Sequence, residues 1–233
     1  MALPYFYIND IVADTLTLDE DTSKHVVQVL RKKVGDDILL TDGKGTKAIA
    51  TITDDNRKRC AVHLGSRERE EEPQPRVCIA ISLIKNASRF EWFLEKATEI
   101  GVREIIPLLC ERTEKEKFRH DRLNNILISA MLQSQQCWLP VLQNPADFGA
   151  VLKWGGYDHQ FIGHCLPEER RSLTQLSKDL QGSSIVYIGP EGDFTKEEIE
   201  AALQHNVTAV MLGDTRLRTE TAGIVAAILL RCR

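Results

Sequence analysis

The pattern of apolar and polar residues divides the chain at about residue 70. Before that point, short apolar runs alternate with turn signals, and Asp42-Gly43 is a dipeptide typical of a hairpin turn. The runs predicted to be strands are Ile38–Leu40, Ala48–Ile52 and Arg59–Leu64, and His25–Leu30 is predicted to be a short helix. Short strands at this spacing predict a small β-barrel domain over residues 1–70.

Residues 76–233 have a different pattern, in which apolar runs alternate with stretches of helical periodicity. The runs are Val77–Ile84, Glu104–Cys110, Gln160–Cys165, Ser184–Ile188 and Ala209–Leu212. Between the first two, apolar side chains from Phe90 to Ile100 share one helical face, and Gly101 suits the end of that helix. This alternation predicts an α/β domain whose mostly parallel sheet is covered by helices on both faces.

Local signals place the domain boundary and two helix starts. Arg67–Pro75 combines charge with two prolines and contains no apolar residue, which is typical of an exposed linker. Asp121 is expected to cap one helix, and Thr195 with Glu198 forms a capping box before another. No internal repeat or low-complexity segment interrupts either domain.

Composition narrows the classes of function. The net charge of −4 gives no overall attraction to nucleic acid, so such a site needs a local basic patch. The six cysteines form no CxxC pair, and no histidine cluster has metal-ligand spacing, so we expect reduced thiols and no metal. No apolar run is long enough for a membrane span, and the N-terminus lacks a signal-peptide pattern. We therefore expect a cytoplasmic protein without a membrane anchor.

Glycine-containing loops follow three of the predicted strands. They are Phe161–Cys165, Ile188–Gly192 and Leu212–Arg216. Each alone could be an ordinary turn, but the carboxyl ends of parallel strands share one edge of the sheet, which is the usual ligand edge. Glu191 and Asp193 in the second loop would repel a phosphate. A neutral or cationic ligand, such as a nucleoside sulfonium, suits this charge better.

The segment Leu217–Leu230 has two interpretations. It is apolar on nearly all sides, with Thr219 or Thr221 as its expected cap, so it is either a buried core helix or a homodimer interface. Arg218, just before it, would be costly to bury unless it pairs with an acid or meets a ligand.

A basic cluster near the N-terminus also has two interpretations. Lys24, Arg31 and Lys32 lie within ten residues of one another. Clusters of this kind are usually solvated faces, and the alternative is contact with the phosphates of a nucleic acid.

Taken together, the motifs resemble a known family. Gly189–Gly192, followed by a capped helix and then by Leu212-Gly213 and Leu217–Ala222, is similar to the bacterial 16S ribosomal RNA uracil-N3 methyltransferases. These enzymes belong to the SPOUT superfamily. His25–Arg31 with Asp42–Gly45 resembles their N-terminal PUA-like RNA-binding barrel, and Lys96–Gly101 resembles the start of their catalytic domain.

The resemblance implies a fold, a cofactor and partners. The fold would be a SPOUT-type knotted parallel sheet, α/β in class, with a small N-terminal PUA-like β-barrel. The chain would be a homodimer that acts on 16S rRNA in the small ribosomal subunit, with S-adenosyl-L-methionine as methyl donor. The residues implied to bind the cofactor are Gly163, His164, Ile188, Gly189, Pro190, Glu191, Gly192, Leu212, Gly213, Leu217, Arg218 and Thr219.

The sequence departs from the family pattern at three places. Asp193 stands where the family often has glycine, and Thr215-Arg216 replaces an arginine and an isoleucine. Gln135-Gln136 replaces the glycine and arginine of a Gln-Ser-Gly-Arg stretch. Gly189–Gly192, Leu212-Gly213 and Leu217-Arg218 in the cofactor loops retain the pattern.

The implied reaction is methyl transfer to N3 of a specific uridine. Arg218 is the candidate to stabilise the negative charge that uracil acquires when N3 loses its proton. The base is open among Glu191, Glu220 and a water molecule. Lys24, Arg31 and Lys32 would anchor RNA through phosphates. Two rivals remain, a SPOUT methyltransferase of another RNA such as tRNA and a non-catalytic ribosome-assembly RNA-binding protein.

Overall fold

The computed structural model describes residues 3–114, 117–167 and 169–232, which form two compact units. The first unit comprises the chain up to Glu72 together with Met131–Leu139. The second comprises Pro73–Ala130 together with the chain from Pro140 onward. The segment Met131–Leu139 thus groups with the first unit, although it lies within the range 76–233 expected for the second domain.

The first unit is built on a five-stranded mixed sheet. Its strands are β1 (Tyr5–Tyr7), β2 (Thr15–Thr17), β3 (Asp37–Thr41), β4 (Thr46–Asp54) and β5 (Ala61–Arg69), and helix α1 (Glu20–Lys24) leads into a π-helical turn, His25–Val29. The order is β1-β3-β4-β5-β2, with β1 parallel to β3 and the other pairs antiparallel. Among the described residues β1 and β2 do not pair with each other, so the sheet is a half-barrel. The expected PUA-like β domain is therefore confirmed, without full closure.

The Asp42-Gly43 turn forms as predicted because the aspartate satisfies the loop. Its Oδ1 accepts hydrogen bonds from Lys44 N at 2.7 Å and from Thr46 N at 3.0 Å. The hairpin then pairs with the segment Met131–Leu139, through Gly45 N to Cys137 O at 2.9 Å. These backbone bonds explain why that segment groups with the first unit.

The second unit is built on an eight-stranded sheet in which every pair is parallel. Its strands are β6 (Val77–Ser82), β7 (Glu104–Leu109), β8 (Val141–Leu142), β9 (Ala146–Asp147), β10 (His159–Gly163), β11 (Arg171–Ser172), β12 (Ser184–Ile188) and β13 (Thr208–Met211). The order is β11-β13-β10-β12-β6-β7-β8, with β9 also pairing with β7. The helices are α2 (Ala87–Ile100), α3 (His120–Gln133), α4 (Phe148–Val151), α5 (Leu173–Leu176), α6 (Lys196–Gln204) and α7 (Thr219–Arg231), with a 3-10 turn at Ser177–Asp179. The predicted parallel α/β sheet is confirmed.

Two of the predicted helix ends are confirmed. Gly101 ends α2 in the left-handed region, with φ of 90°, where glycine has no steric penalty. Thr195 and Glu198 form the predicted capping box at the start of α6, with both reciprocal hydrogen bonds present.

Two other predicted helix starts are wrong. Helix α3 begins at His120, so Asp121 lies inside its first turn rather than before it. Arg218 occupies the cap position of α7, and no side chain caps that helix. Thr219 cannot serve as the cap because it is already helical and its hydroxyl donates to Gly189 O at 3.1 Å.

The predicted linker is also shorter than expected. Arg67–Arg69 belong to β5, where they pair with Thr46–Ala48 of β4. Their charged side chains stay exposed or partly exposed along the strand, so the backbone pairs in the sheet although the composition resembles a loop.

The strand order differs from the chain order most sharply at β13. This strand lies between β10 and β11, with Val210 level with Gly163 on one side and with Arg171 on the other. The chain between Gly163 and Arg171 must therefore cross the carboxyl end of β13, which itself continues towards α7. Threaded connections are rare in proteins. This one agrees with the knotted SPOUT topology that the resemblance implies.

Candidate active site

A cavity of about 360 Å³ lies at the carboxyl ends of β10, β12 and β13. Its volume falls in the range of about 300–1,000 Å³ that is usual for small-molecule sites. Its walls come from the three loops that follow these strands and from the first turn of α7. The three glycine-containing loops predicted to share one site therefore do so.

Nearly all residues that the resemblance assigned to a cofactor line this cavity. The lining members are Gly163, His164, Ile188, Gly189, Pro190, Glu191, Leu212, Gly213, Leu217, Arg218 and Thr219. Gly192 is the exception, because it faces Arg112 and lies outside the lining. Their roles in binding stay predictions, while their convergence on one cavity is a structural observation.

Hydrogen bonds join the three loops to one another. Asp193 Oδ2 accepts from Cys165 N at 2.7 Å, which joins the loop after β12 to the loop after β10. The buried Thr219 hydroxyl donates to Gly189 O at 3.1 Å, which joins the loop after β12 to the start of α7. The cavity walls are therefore held in position by the chain itself, as a preorganised site requires.

Asp193 has a structural role that its charge did not suggest. It adopts φ of 63° in the left-handed region, which aspartate tolerates better than most residues. Its Oδ1 also accepts from Phe194 N at 2.8 Å. The position where the family often has glycine thus keeps a glycine-like backbone, and the carboxylate compensates with two hydrogen bonds.

Arg112 supports the same loop from outside the cavity. Its Nη1 donates to Gly192 O at 2.7 Å and more weakly to Phe194 O at 3.4 Å. A Cβ at Gly192 would lie 3.3 Å from Arg112 Cδ, which is a tight contact. Gly192 therefore contributes to the packing of the loop against Arg112 rather than to the inner surface of the cavity.

Eight further residues line the cavity that were not among those implied to bind the cofactor. They are Cys165, Arg170, Asp193, Val210, Met211, Thr215, Arg216 and Ala222. Cys165, Thr215 and Arg216 lie inside the predicted loops, and Asp193, Val210 and Met211 lie within two residues of them. Arg170 had no such signal, and it reaches the site because its Nη1 donates to His164 O at 2.5 Å.

The cavity carries charge of both signs. Arg170, Arg216 and Arg218 line it together with Glu191 and Asp193. Arg218 is exposed, so the expected cost of burying its charge does not arise. Its guanidinium can reach a ligand at the cavity mouth.

The two carboxylates considered as bases occupy different places. Glu191 is exposed and lines the cavity. Glu220 is 6% exposed, lies outside the lining and faces α2, with Oε1 3.7 Å from Arg89 Nε. Position therefore favours Glu191 over Glu220 as the carboxylate that meets a ligand.

Two buried groups of the second unit stay protonated. Burial raises the pKa of Tyr187 well above its usual value, and its hydroxyl donates to Gln160 Oε1 at 2.9 Å. Burial also raises the pKa of the Cys110 thiol to about 12. Neither group is available as a base near neutral pH.

The basic residues predicted to contact RNA lie in the first unit. Lys24 ends α1 and pairs with Glu20 at 3.0 Å, and it is exposed. Arg31 is exposed, and Lys32 is partly exposed. The cluster is thus accessible to a partner, and its contact with RNA stays a prediction.

Three further observations concern metal-ligand clusters, membrane-spanning helices and thiols. Within residues 3–114, 117–167 and 169–232, no cluster of histidine, cysteine and acidic side chains could hold a metal ion. Nor does this part of the chain contain a helix long and apolar enough to cross a membrane. All six cysteines are free thiols, as predicted.

Comparison with known proteins identifies relatives over nearly the whole chain. A model described as an RNA methyltransferase domain matches residues 70–231, and one described as an RNA methyltransferase PUA domain matches residues 18–64. A ribosomal RNA small subunit methyltransferase E of Synechocystis sp. is 30% identical over 231 residues, covering 93% of this chain and 72% of that protein.

Solved structures agree with the sequence relatives. A probable rRNA-methyltransferase from Porphyromonas gingivalis superposes with a TM-score of 0.91 at 36% identity, covering 99% of both chains. A ribosomal RNA small subunit methyltransferase E from Neisseria gonorrhoeae, bound to S-adenosyl methionine, gives a TM-score of 0.86 at 27% identity, covering 97% of both chains. The similarity therefore includes a relative whose structure holds this cofactor.

Proposed function

The chain belongs to the RNA methyltransferase family whose domain model matches residues 70–231, and from this premise we propose its reaction. It transfers a methyl group from S-adenosylmethionine to N3 of a uridine in the 16S rRNA of the small ribosomal subunit. The observation that carries the proposal is the cavity formed by the three joined loops. A ribosomal substrate places the protein in the cytoplasm.

The cavity residues fit this cofactor in shape. A Cβ at Gly189 would lie 3.0 Å from the Phe194 ring, so the loop needs glycine there to keep its path. A Cβ at Gly213 would meet nothing within 4 Å, which leaves its backbone open to a ligand. Apolar side chains, among them Ile188 and Leu212, suit the faces of an adenine ring.

The charges also fit. S-adenosylmethionine, when bound, supplies an electrophilic methyl group on a positively charged sulfur. Glu191 provides a negative charge for the sulfonium at a cavity surface that also carries the positive charges of Arg170, Arg216 and Arg218. The backbone groups of the loops, rather than a lysine, would hold the nucleoside part.

Arg218 is the residue we assign to catalysis. Uracil N3 must lose its proton before it can attack, and the resulting negative charge spreads to the ring carbonyl oxygens. A guanidinium at the start of α7, on the cavity wall, would stabilise that charge with its N–H donors. Glu191, or a water molecule beside it, would accept the N3 proton.

The remaining parts position the substrate. N3 lies on the edge that base pairing hides, so the target must be unpaired or turned out of its helix. Lys24, Arg31 and Lys32 of the first unit would contact phosphates, which fix the RNA without setting its sequence.

We also propose a homodimer through α7. Thr221, Ala222, Ile224, Val225 and Leu229 keep part of their surface exposed, and Ile228 is 44% exposed. A mostly apolar helix face of this kind is suited to a second copy of the chain.

Methyl transfer from labelled cofactor tests the function directly. Small subunits, naked 16S RNA and bulk tRNA from a strain lacking this gene would be compared, with the product nucleoside identified by mass. We expect 3-methyluridine in the small-subunit rRNA. Label found only in tRNA would show that tRNA, and not 16S rRNA, is the substrate. Cofactor binding without methyl transfer to any RNA would contradict the proposed activity.

Arg218→Ala tests the catalytic role in the same assay. We expect kcat to fall by about 100-fold or more, the usual effect of removing one charge-stabilising donor, while cofactor affinity changes little. Arg218→Lys is the matched variant, since it keeps the positive charge but loses the planar guanidinium and its paired N–H donors. Equal losses in kcat and in cofactor affinity would assign Arg218 to binding instead.

A further inference from the structure

A second concave surface lies in the second unit, beside the cofactor cavity. This groove of about 550 Å³ is formed by the chain after β6, the first turns of α2, and the region from residue 117 to the first turn of α3. Its lining residues do not overlap with those of the cofactor cavity. Nothing in the reaction described above uses it.

Sheet register places the groove next to the cavity. β6 and β12 are hydrogen-bonded neighbours, with Ile81 level with Ile188. The groove is lined by Leu83 and Ile84, which follow β6, while the cavity is lined by residues that follow β12. Neighbouring parallel strands lie about 4.8 Å apart, so both concave surfaces open at the same edge of the sheet.

The interior of the groove is apolar and includes an aromatic wall. Leu83, Ile84, Phe90 and Leu123 line it and are each less than 9% exposed. Phe118 lines it with its ring partly exposed. An apolar pocket beside an accessible aromatic ring is a surface on which an unpaired base can stack.

The rim of the groove is basic, although the whole chain carries a net charge of −4. Lys117, Arg119 and Arg122 line the groove against a single acid, Glu91. Glu91 pairs with Arg122 at 2.9 Å. Lys117 and Arg119 are exposed and make no ion pair with another described residue, so a local positive excess remains. This excess is complementary to phosphate.

We propose that this groove binds an unpaired nucleotide that flanks the methylated uridine in the RNA substrate. Its base stacks in the apolar interior against Phe118, and its phosphates contact Lys117 and Arg119. The inference rests on the proposed function, since it takes RNA to be the substrate. It adds a single-strand contact in the catalytic unit to the basic cluster of the first unit.

Charge reversal tests the phosphate contacts. The full chain carrying Lys117→Glu and Arg119→Glu would be titrated with a short fluorescent oligouridylate. We expect binding to weaken by about tenfold or more, and the dependence of log K on log salt to lose about 0.7 for each phosphate contact removed. The matched control is Lys153→Glu with Lys178→Glu, two exposed lysines of the same unit outside the groove.

Phe118→Ala tests the stacking contact without changing the charge. We expect it to weaken oligouridylate binding several-fold, since stacking of one base on an aromatic ring contributes about 1–3 kcal/mol, while the salt dependence stays as in the wild type. Cofactor affinity, measured in the same samples, should stay at the wild-type value for all variants. An unchanged cofactor affinity would show that the second unit of each variant remains folded.

The outcomes separate the groove from the reaction. If the wild type methylates small subunits and all variants bind and methylate RNA equally well, the groove proposal is overturned and the function stands. If the groove variants change the oligomeric state instead, the groove is an interface between two copies, which also overturns the proposal. If the wild type methylates no RNA, the proposed function fails, and the oligouridylate titration still decides whether the groove binds a single strand.

Discussion

At the scale of single residues, two positions without glycine adopt a backbone conformation that favours glycine. Asp193 and Gln135 have φ of 63° and 56°, in the region that favours glycine. Both stand at positions where the resemblance leads one to expect glycine. Both residues therefore adopt a conformation suited to glycine, and at Asp193 the carboxylate accepts two hydrogen bonds that a glycine could not.

A substitution series at Asp193 separates these two effects. Asp193→Gly loses the hydrogen bonds but removes the left-handed penalty, and Asp193→Ala loses the bonds and keeps the penalty. We expect Ala to lower the free energy of unfolding by about 1 kcal/mol more than Gly does. Asn tolerates the backbone and keeps one acceptor, so it should lie between wild type and Ala.

Urea unfolding measures the order of the series, and cofactor titration measures its effect on the site. The Cys165 N–H loses its partner in the Gly and Ala variants, so cofactor affinity should fall in both. Equal stability of the Gly and Ala variants would show that φ at this position relaxes, and would contradict the strain argument.

The residues at the cavity differ in whether the sequence alone could assign them to the site. The motif residues could be assigned because backbone approach and apolar packing restrict them to few residue types. Arg112 and Arg170 could not be assigned, because both lie outside the motifs and each side chain donates to a backbone carbonyl of a motif loop. A long flexible side chain carries no local pattern that reveals its target.

At the scale of elements, α7 is the helix that closes the second unit. It packs against α2, β6 and β12. Gly223 allows this close approach, since a Cβ there would lie 2.7 Å from Phe93 Cε2 and 3.0 Å from Ile81 Cδ1. The small residue lets the helix lie directly on the sheet, which also fixes Thr219 and Arg218 at the cavity.

Gly223→Ala should therefore destabilise the protein although alanine favours helices. We expect a loss of about 1–3 kcal/mol from overpacking, partly offset by helix propensity. Gly149→Ala in α4 is the matched control, because a Cβ there meets nothing within 4 Å. It should leave stability unchanged or raise it by up to about 1 kcal/mol. Chemical denaturation of the two variants side by side tests the contrast, and equal effects would contradict it.

Elements with a full apolar pattern were predictable, and the short ones were not. β12 was predicted to the residue and β6 within two residues, because strands buried on both faces are continuous apolar runs. β8, β9 and β11 have two residues each and pair only because a neighbouring strand is already in place. α1 was missed because its five residues, Glu20–Lys24, are all polar.

At the scale of the whole molecule, burial divides the six thiols into two classes. Cys60, Cys78, Cys110 and Cys137 are buried, and Cys165 and Cys232 are exposed. Burial raises the pKa of Cys110 and of Cys137 to about 12, so these thiols are also chemically inert in the folded chain.

Thiol labelling therefore reports both global unfolding and occupancy of the cavity. We expect two thiols to react quickly in the native protein and the other four only when the chain unfolds. S-adenosylhomocysteine should slow the labelling of Cys165, which lines the cavity, and leave Cys232 as the internal reference. Cys165→Ser identifies the protected site. More than two fast thiols, or equal protection of both, would contradict this assignment.

Organisation at this scale was the hardest to predict. The sequence suggested two consecutive domains, whereas Met131–Leu139 groups with the first unit. The segment pairs through its backbone with the Asp42–Gly45 hairpin, and backbone pairing leaves no trace in side-chain type. Likewise, no residue pattern shows that β13 is inserted between β10 and β11.

The insertion of β13 has an evolutionary consequence. The chain segments that cross there, after Gly163 and after Met211, are the segments that line the cofactor cavity. A lineage that undid the crossing by rerouting either segment would lose the cavity in the same step. Selection for catalysis alone therefore preserves the entangled path, and the topology needs no separate advantage to persist.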